Sequence, residues 1–241
     1  MSLKSIFTAA YIIAVSAFII YNTDQIKDDL INSNRKYVTR LTNMEQTHGG
    51  TGFYVQTPSG RVMTLTNGHV CRIAMNGALV STTESDVEIL YVDSQYEDND
   101  LCLLNAPEGA KGLKVANSVR DLENIYVIGH PLLEPKTLVR GQMSGTQEIK
   151  VLQGYDMVCT GKTFKNERVD LLTSLTVGAA FACIRTSIGA IATAFILPGN
   201  SGSPVLNAYG NVVGVIFAGM PGTGRAFMVP LELVKDFLKD K

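Results

Sequence analysis

The segment Pro198-Gly199-Asn200-Ser201-Gly202-Ser203-Pro204 presents one hydroxyl, that of Ser201, in a glycine-flanked turn between two apolar runs. Glycine opens backbone conformations that other residues rarely reach, so the N–H groups of Gly199 and Ser201 can converge beside the hydroxyl. Two amides fixed in advance where a tetrahedral intermediate gathers negative charge form an oxyanion hole, worth roughly 3 to 4 kcal/mol per donor. The chemistry this turn suits is acyl transfer, with Ser201 as nucleophile. Taken alone, a Gly/Ser/Pro stretch has an ordinary loop as its weaker, competing reading, and partners elsewhere weigh on the choice.

A serine hydroxyl needs a base within hydrogen-bond reach, and the chain has three histidines to offer, His48, His69 and His130. His69 ends the β-rich run RVMTLT in Thr66-Asn67-Gly68-His69-Val70-Cys71, where small Gly68 lets the ring leave the sheet. His48 precedes a Gly-Gly turn and His130 lies at a strand exit, so both read as surface or packed histidines. The third partner is a carboxylate that accepts the far ring N–H and stabilises the imidazolium. Asp100, just ahead of the short apolar run Leu101-Cys102-Leu103-Leu104, is best placed, with Asp98 as the fallback. An Asp before a strand is often just a turn former.

The elements that must position these groups are strands. From Tyr37 onward the chain reads as short β-rich runs punctuated by Gly, Pro, Asn and Asp: YVTRLT, GFYVQT, RVMTLT, ALVST, VEILYV, LCLL, IYVIG, TLVRGQM, IKVLQG, IRTSI, AIATAFIL, SPVLN, VVGVIFAG and RAFMVP. That pattern is all-β. Pro58-Ser59-Gly60 and Ala208-Tyr209-Gly210 mark hairpin turns, and no fixed-period repeat points to a propeller or solenoid. Leu231, Val234, Phe237 and Leu238 fall at helical spacing after Pro230, which predicts a closing amphipathic helix over 230–240.

The blocks TNGHVC, NDLCLL and PGNSGSPV, in the order His, Asp, Ser, resemble the three signature blocks of trypsin-like serine peptidases. Subtilisin-type and α/β-hydrolase enzymes carry the same constellation in other orders. GGTGFYV, YVIGHP, GNSGSP and RAFMVP are similar to bacterial and phage forms, including the protease domain of the HtrA group. The resemblance covers roughly residues 47 to 239. It implies two six-stranded antiparallel barrels of the chymotrypsin type, the first over about 47–118 and the second over about 122–229. His69 and Asp100 would come from the first barrel, and Ser201 from the second. It also implies that Phe195, Ile196, Phe217, Ala218 and Gly219 line the primary specificity pocket, with Gly219 offering backbone hydrogen bonds to an extended substrate. No carboxylate sits there, so a basic side chain would be left unpaired, and small or medium apolar residues before the cut are expected. Where many family members have Asp before the nucleophile, this chain has neutral Asn200, which excludes activation by a salt bridge to a newly freed amino terminus. Ser203 replaces the usual glycine, as in some glutamyl-specific relatives. The histidine by which those enzymes read glutamate is missing, so acidic specificity is not expected.

The ends and the composition set the context. Ser5 to Tyr21 is an uncharged apolar stretch at the short end of a membrane-spanning helix. Lys4 precedes it and Asp24, Lys27, Asp28 and Asp29 follow, which orients the amino terminus to the cytoplasm and the rest outward. Residues 1–22 are therefore expected to be an anchor, or else a signal segment cleaved after Ala17 to leave a secreted protein. Residues 23–46 read as a juxtamembrane linker or short helix leading into the first strand, and 47–241 as the peptidase domain. Leu171 to Leu197 is also apolar, but Gly178, Arg185 and Gly189 break it and its Thr, Val and Ile content suits paired strands.

With 46% hydrophobic residues among 241 the chain can build a real core. A net charge of −1 gives no footprint for nucleic acid. No C-x-x-C pair or helical His pair suggests zinc, and the chemistry above needs neither metal nor cofactor. Cys71, Cys102, Cys159 and Cys183 fit two disulfides or four buried thiols. If bridges form, Cys71 with Cys102 is the first pair to test, since each lies two residues beyond a proposed catalytic residue. The expected partner is a protein or peptide substrate, and oligomeric state is not readable. A rival from another class is a silent fold that binds peptides or serves as a scaffold.

Overall fold

In a computed structural model the described residues are 25, 27–96, 99–153, 183–220 and 222–241. They build two closed antiparallel barrels. The first contains β1 (Val38–Thr42), β2 (Gly49–Gln56), β3 (Val62–Asn67), β4 (Ala78–Thr82), β5 (Val87–Tyr96) and β6 (Leu101–Leu104), in the order β1-β2-β3-β6-β5-β4. The second contains β7 (Asn124–Gly129), β8 (Thr137–Gln153), β9 (Cys183–Thr193), β10 (Pro204–Leu206), β11 (Val212–Met220) and β12 (Arg225–Pro230), in the order β10-β11-β12-β9-β8-β7. Helix α1 occupies residues 27–33 and runs into a 3-10 turn at Asn34–Tyr37. Helix α2 is the single turn Gly68–Cys71, and α3 spans Leu231–Leu238.

Several strands are apolar on every residue because both of their faces are covered. Side chains alternate across a strand, and on β6 Leu101 and Leu103 face the seam between the barrels while Cys102 and Leu104 fill the interior of barrel one. On β7, Tyr126 and Ile128 face that seam while Ile125 and Val127 fill barrel two. The seam is the largest buried cluster. It joins Phe53, Val55, Leu65 and Leu103 to Leu206, Val212, Val215 and Val229, and α3 closes it with Val234, Phe237 and Leu238.

The all-β architecture with a closing helix is as expected. Two pairs of expected strands are continuous instead. TLVRGQM and IKVLQG form the 17-residue β8, with a register shift between Met143 and Gly145, and IRTSI joins the start of AIATAFIL in β9. Barrel one starts earlier than residue 47, since β1 pairs with both β2 and β4. The stretch before it packs down: Ile31 on α1 is fully buried in the seam cluster, and Asn34 donates from Nδ2 to the Gly210 carbonyl. Among the described residues no helix is long and apolar enough to cross a membrane. The expected anchor at 1–22, Asp98, Cys159 and residues 171–182 of the Leu171–Leu197 stretch lie outside the described residues.

Candidate active site

The chain leaves β3 at Asn67 and turns at once into α2, so His69 stands at the rim of barrel one. Asp100 reaches the same rim from the start of β6, with its backbone in the left-handed region at φ 53°. Four hydrogen bonds fasten the two segments. The N–H of Gly68 and Nδ2 of Asn67 donate to the Asp100 carbonyl at 2.9 and 3.0 Å, and the His69 N–H donates to Oδ1 at 2.8 Å. Nδ1 of His69 meets Oδ2 at 2.7 Å. An ionised carboxylate only accepts, so Nδ1 carries the proton and Nε2 is the basic nitrogen. A Cβ on residue 68 would stand 3.2 Å from Oδ1, so any other residue there would push on the carboxylate. A disulfide between Cys71 and Cys102 ties α2 to β6 two residues beyond each partner. The imidazole is half-buried and the carboxylate more so, with 35% and 17% of their side chains exposed.

The 198–204 turn belongs to barrel two but rests on barrel one. The N–H of Thr51, on β2, donates to the Ser201 carbonyl at 2.7 Å. Gly50 is wedged between that same carbonyl and the side chain of Val70, the residue after His69; a Cβ there would stand 2.8 and 2.7 Å from them. The Ser201 turn and the His69 helix thus share one wall. The Ser201 hydroxyl is partly exposed, with only a long 3.4 Å contact to the Phe217 carbonyl. Gly199 has φ +92° and packs so tightly on His130–Leu133 that a Cβ would lie 2.3 Å from the His130 carbonyl oxygen. Among the described residues, the N–H groups of Gly199 and Ser201 have no acceptor.

The expected pocket residues fall into two facing segments. Ile196 and Gly219 touch: a Cβ on Gly219 would be 2.7 Å from the Ile196 carbonyl oxygen and 3.0 Å from its Cβ. Phe217 is half-buried, with its ring 6.3 Å from that of Phe227, and Ala218 is also half-buried. Phe195 is 61% exposed and so stands outside any enclosed pocket in this state.

Behind the turn lies a group of buried polar atoms. His130 is packed, as one reading of it expected, and donates from Nδ1 to the Glu134 carbonyl at 2.9 Å. Burial pushes its imidazole down to about 4, helped by the nearby cations Lys136, Arg40 and Arg35 and opposed by the Glu134 hydrogen bond. Its Nε2, the Asn200 Oδ1 and the Ser203 hydroxyl are all buried without a partner among the described residues. His48, by contrast, is exposed and bonded to its neighbour Thr47.

Residues 50–215 match the family of the trypsin-like peptidase domain. The chain belongs to that family. As a trypsin-like peptidase it is a serine endopeptidase, in line with what the three signature blocks implied. The fold is shared with solved proteases. The active form of the Rv3671c protease from M. tuberculosis has a TM-score of 0.65 at 17% identity, covering 87% of this chain and 82% of that one. A serine endoprotease from Yersinia pestis has 0.63 at 15%, covering 89% and 65%. The HtrA-type protease AlgW, solved with a tripeptide, has 0.63 at 18%, covering 89% and 62%. No curated protein matches the sequence.

Sequence reasoning passed over two parts of this trypsin-like peptidase's site. One is Thr51, fully buried, whose hydroxyl meets both Gly199 and His130. The other is the turn at Pro131–Leu133, where Leu132 and Leu133 both adopt positive φ, 53° and 62°. The one sequence signal for Thr51 is its place in GGTGFYV, a block that carried the resemblance without saying what the threonine does. Nothing in HPLLEP announces left-handed leucines.

Proposed function

We propose that this endopeptidase works through Ser201, His69 and Asp100, on the outer side of a cytoplasmic membrane to which residues 1–22 anchor it. The observation that carries the reading is the His69–Asp100 pair, fastened by both carboxylate oxygens beside the wall on which the Ser201 turn rests. Nε2 of His69 takes the proton as Ser201 Oγ attacks the peptide carbonyl carbon. The resulting oxyanion is held by the N–H groups of Gly199 and Ser201, and Asp100 stabilises the imidazolium. Collapse breaks the C–N bond, the leaving amine takes the proton from Nε2, and an acyl-enzyme remains. Water then attacks the acyl carbon while Nε2 takes its proton, the ester bond to Oγ breaks, Oγ recovers the proton from Nε2, and the carboxylic acid product leaves.

Substrate lies as an extended strand along Phe217–Gly219. The close approach of Ile196 to Gly219, beside apolar Phe217 and Ala218, favours small or medium apolar residues before the cut. The peptide library is the test. Wild type cuts after such residues and Ser201→Ala cuts nothing; cleavage by Ser201→Ala sinks the mechanism, and dominant cutting after Arg or Lys sinks the specificity. Anchoring rests on the uncharged Ser5–Tyr21 stretch behind Lys4. The full chain should stay with membranes through alkaline carbonate extraction, and release of the intact chain would contradict an anchor, whereas a shortened secreted form would point to a cleaved signal.

A further inference from the structure

An oxyanion hole is only as good as the hold on its peptides. The N–H of Gly199 belongs to the Pro198–Gly199 peptide, whose C=O and N–H point in opposite directions. The Pro198 carbonyl accepts the N–H of Leu132 at 2.6 Å, which keeps the Gly199 N–H on the other side. The following peptide is held as well, because the Gly199 carbonyl accepts the Thr51 hydroxyl at 2.8 Å. That same hydroxyl accepts the N–H of His130 at 3.0 Å, and His130 opens the turn that presents Leu132. The turn is strained, since Leu132 and Leu133 both take left-handed conformations and the Leu132 side chain is 62% exposed. Its own hydrogen bonds, from the Leu133 N–H to the His130 carbonyl at 3.1 Å, the Glu134 N–H to the Pro131 carbonyl at 2.9 Å and His130 Nδ1 to the Glu134 carbonyl at 2.9 Å, shape it but do not tie it to barrel one. Besides Thr51, Arg40 on β1 steadies it by donating to the Leu133 carbonyl at 2.9 Å.

We propose that Thr51 is a positioning residue for the oxyanion hole: its buried hydroxyl, reaching over from barrel one, clamps the Gly199 peptide directly and the Pro198 peptide through the His130–Leu133 turn. The proposal rests on the assignment of Gly199 and Ser201 as the hole. Without the hydroxyl, the His130 N–H and the Gly199 carbonyl lose their shared partner, the strained turn relaxes, and the Gly199 amide is no longer fixed where charge develops. The substrate strand along Phe217–Gly219 does not touch Thr51, so ground-state binding is spared.

The test compares Thr51→Val, which keeps the shape and drops the hydroxyl, with Thr51→Ser, which keeps the hydroxyl. Thr39→Val is the control, since it removes a buried hydroxyl of the same barrel that pairs with Ser81 at 2.7 Å, away from the turn. Steady-state kinetics on one cleaved peptide and inhibition by its boronic acid analogue are measured with the full chain. For Thr51→Val, kcat should fall about 10²-fold, and boronate affinity should fall with it. KM should move by less than about threefold, the mark of an interaction made only in the transition state. Thr51→Ser should recover most of the loss, and Thr39→Val should lower the thermal midpoint while keeping kcat. Wild-type kcat in Thr51→Val overturns the clamp, as does an equal loss in Thr39→Val or a failure of Thr51→Ser to rescue. A wild type that hydrolyses no peptide overturns the underlying catalytic assignment and this proposal with it.

Discussion

At the scale of single residues, the site shows a division of labour among histidines. His69 is held at the surface of barrel one by a carboxylate, whereas His130 is buried with its neutral ring bonded to the Glu134 carbonyl. Burial pushes the His130 imidazole down to about 4 from the usual 6.5. Between those two values the unfolded chain binds more protons than the folded one, so stability falls as pH falls. The contribution is fully present above about pH 6.5 and is lost by about pH 4, on the order of 3 kcal/mol in all. Urea unfolding at pH 7, 5.5 and 4 should therefore show a steeper decline for wild type than for His130→Gln. Equal declines would mean that His130 is not the group responsible. Sequence alone left His130 as surface or packed, because the distinction depends on Glu134 and on cations brought in by β1 and the stretch before it.

At the scale of elements, α2 and β6 form one unit, joined by the Asp100 hydrogen bonds at one end and by the Cys71–Cys102 disulfide at the other. The bridge closes a separation of 31 residues, and in the chain-entropy account such a loop is worth about 3 to 4 kcal/mol. Equilibrium unfolding with and without reductant should differ by that amount, and coincident curves would contradict it. Strands were largely legible. ALVST, LCLL and RAFMVP appear at their expected bounds, since turn formers flank them and no competing pattern exists. The joined strands β8 and β9 were not legible, because Gly145 and Gly189 fall between the expected runs yet are carried within paired strands, Gly145 at a register shift with φ +117°. Thr51 was illegible for a different reason: its hydroxyl partners lie 148 and 79 residues away.

At the scale of the whole molecule, function depends on the two barrels keeping their places. The Ser201 turn comes from barrel two, while the residues proposed as its base, its orienting carboxylate and its clamp, His69, Asp100 and Thr51, come from barrel one. The seam is reinforced by the segment ahead of β1. Ile31 is fully buried there, Arg35 donates to the Lys136 carbonyl, and buried Lys136 returns hydrogen bonds to the carbonyls of Arg35 and Val38 at 2.8 and 2.9 Å. A segment whose charges suggest a linker is a structural strap, because Ile31 joins an apolar cluster that only the folded barrels create, while its neighbour Leu30 stays exposed. Ile31→Ala should cost about 2 to 4 kcal/mol, read as a shift in the urea midpoint at unchanged slope. A loss below about 0.5 kcal/mol, the size of a surface substitution, would show that the strap is not held there. The family was readable from sequence because its three signature blocks, TNGHVC, NDLCLL and PGNSGSPV, set particular side chains in particular turns.

The most direct measurement is to treat the folded full chain with a fluorophosphonate and locate the adduct by peptide mass mapping. A single adduct on Ser201, absent from His69→Ala, is the result expected if the imidazole activates that hydroxyl. Labelling of another residue, or a folded wild type that takes no label, would contradict the account.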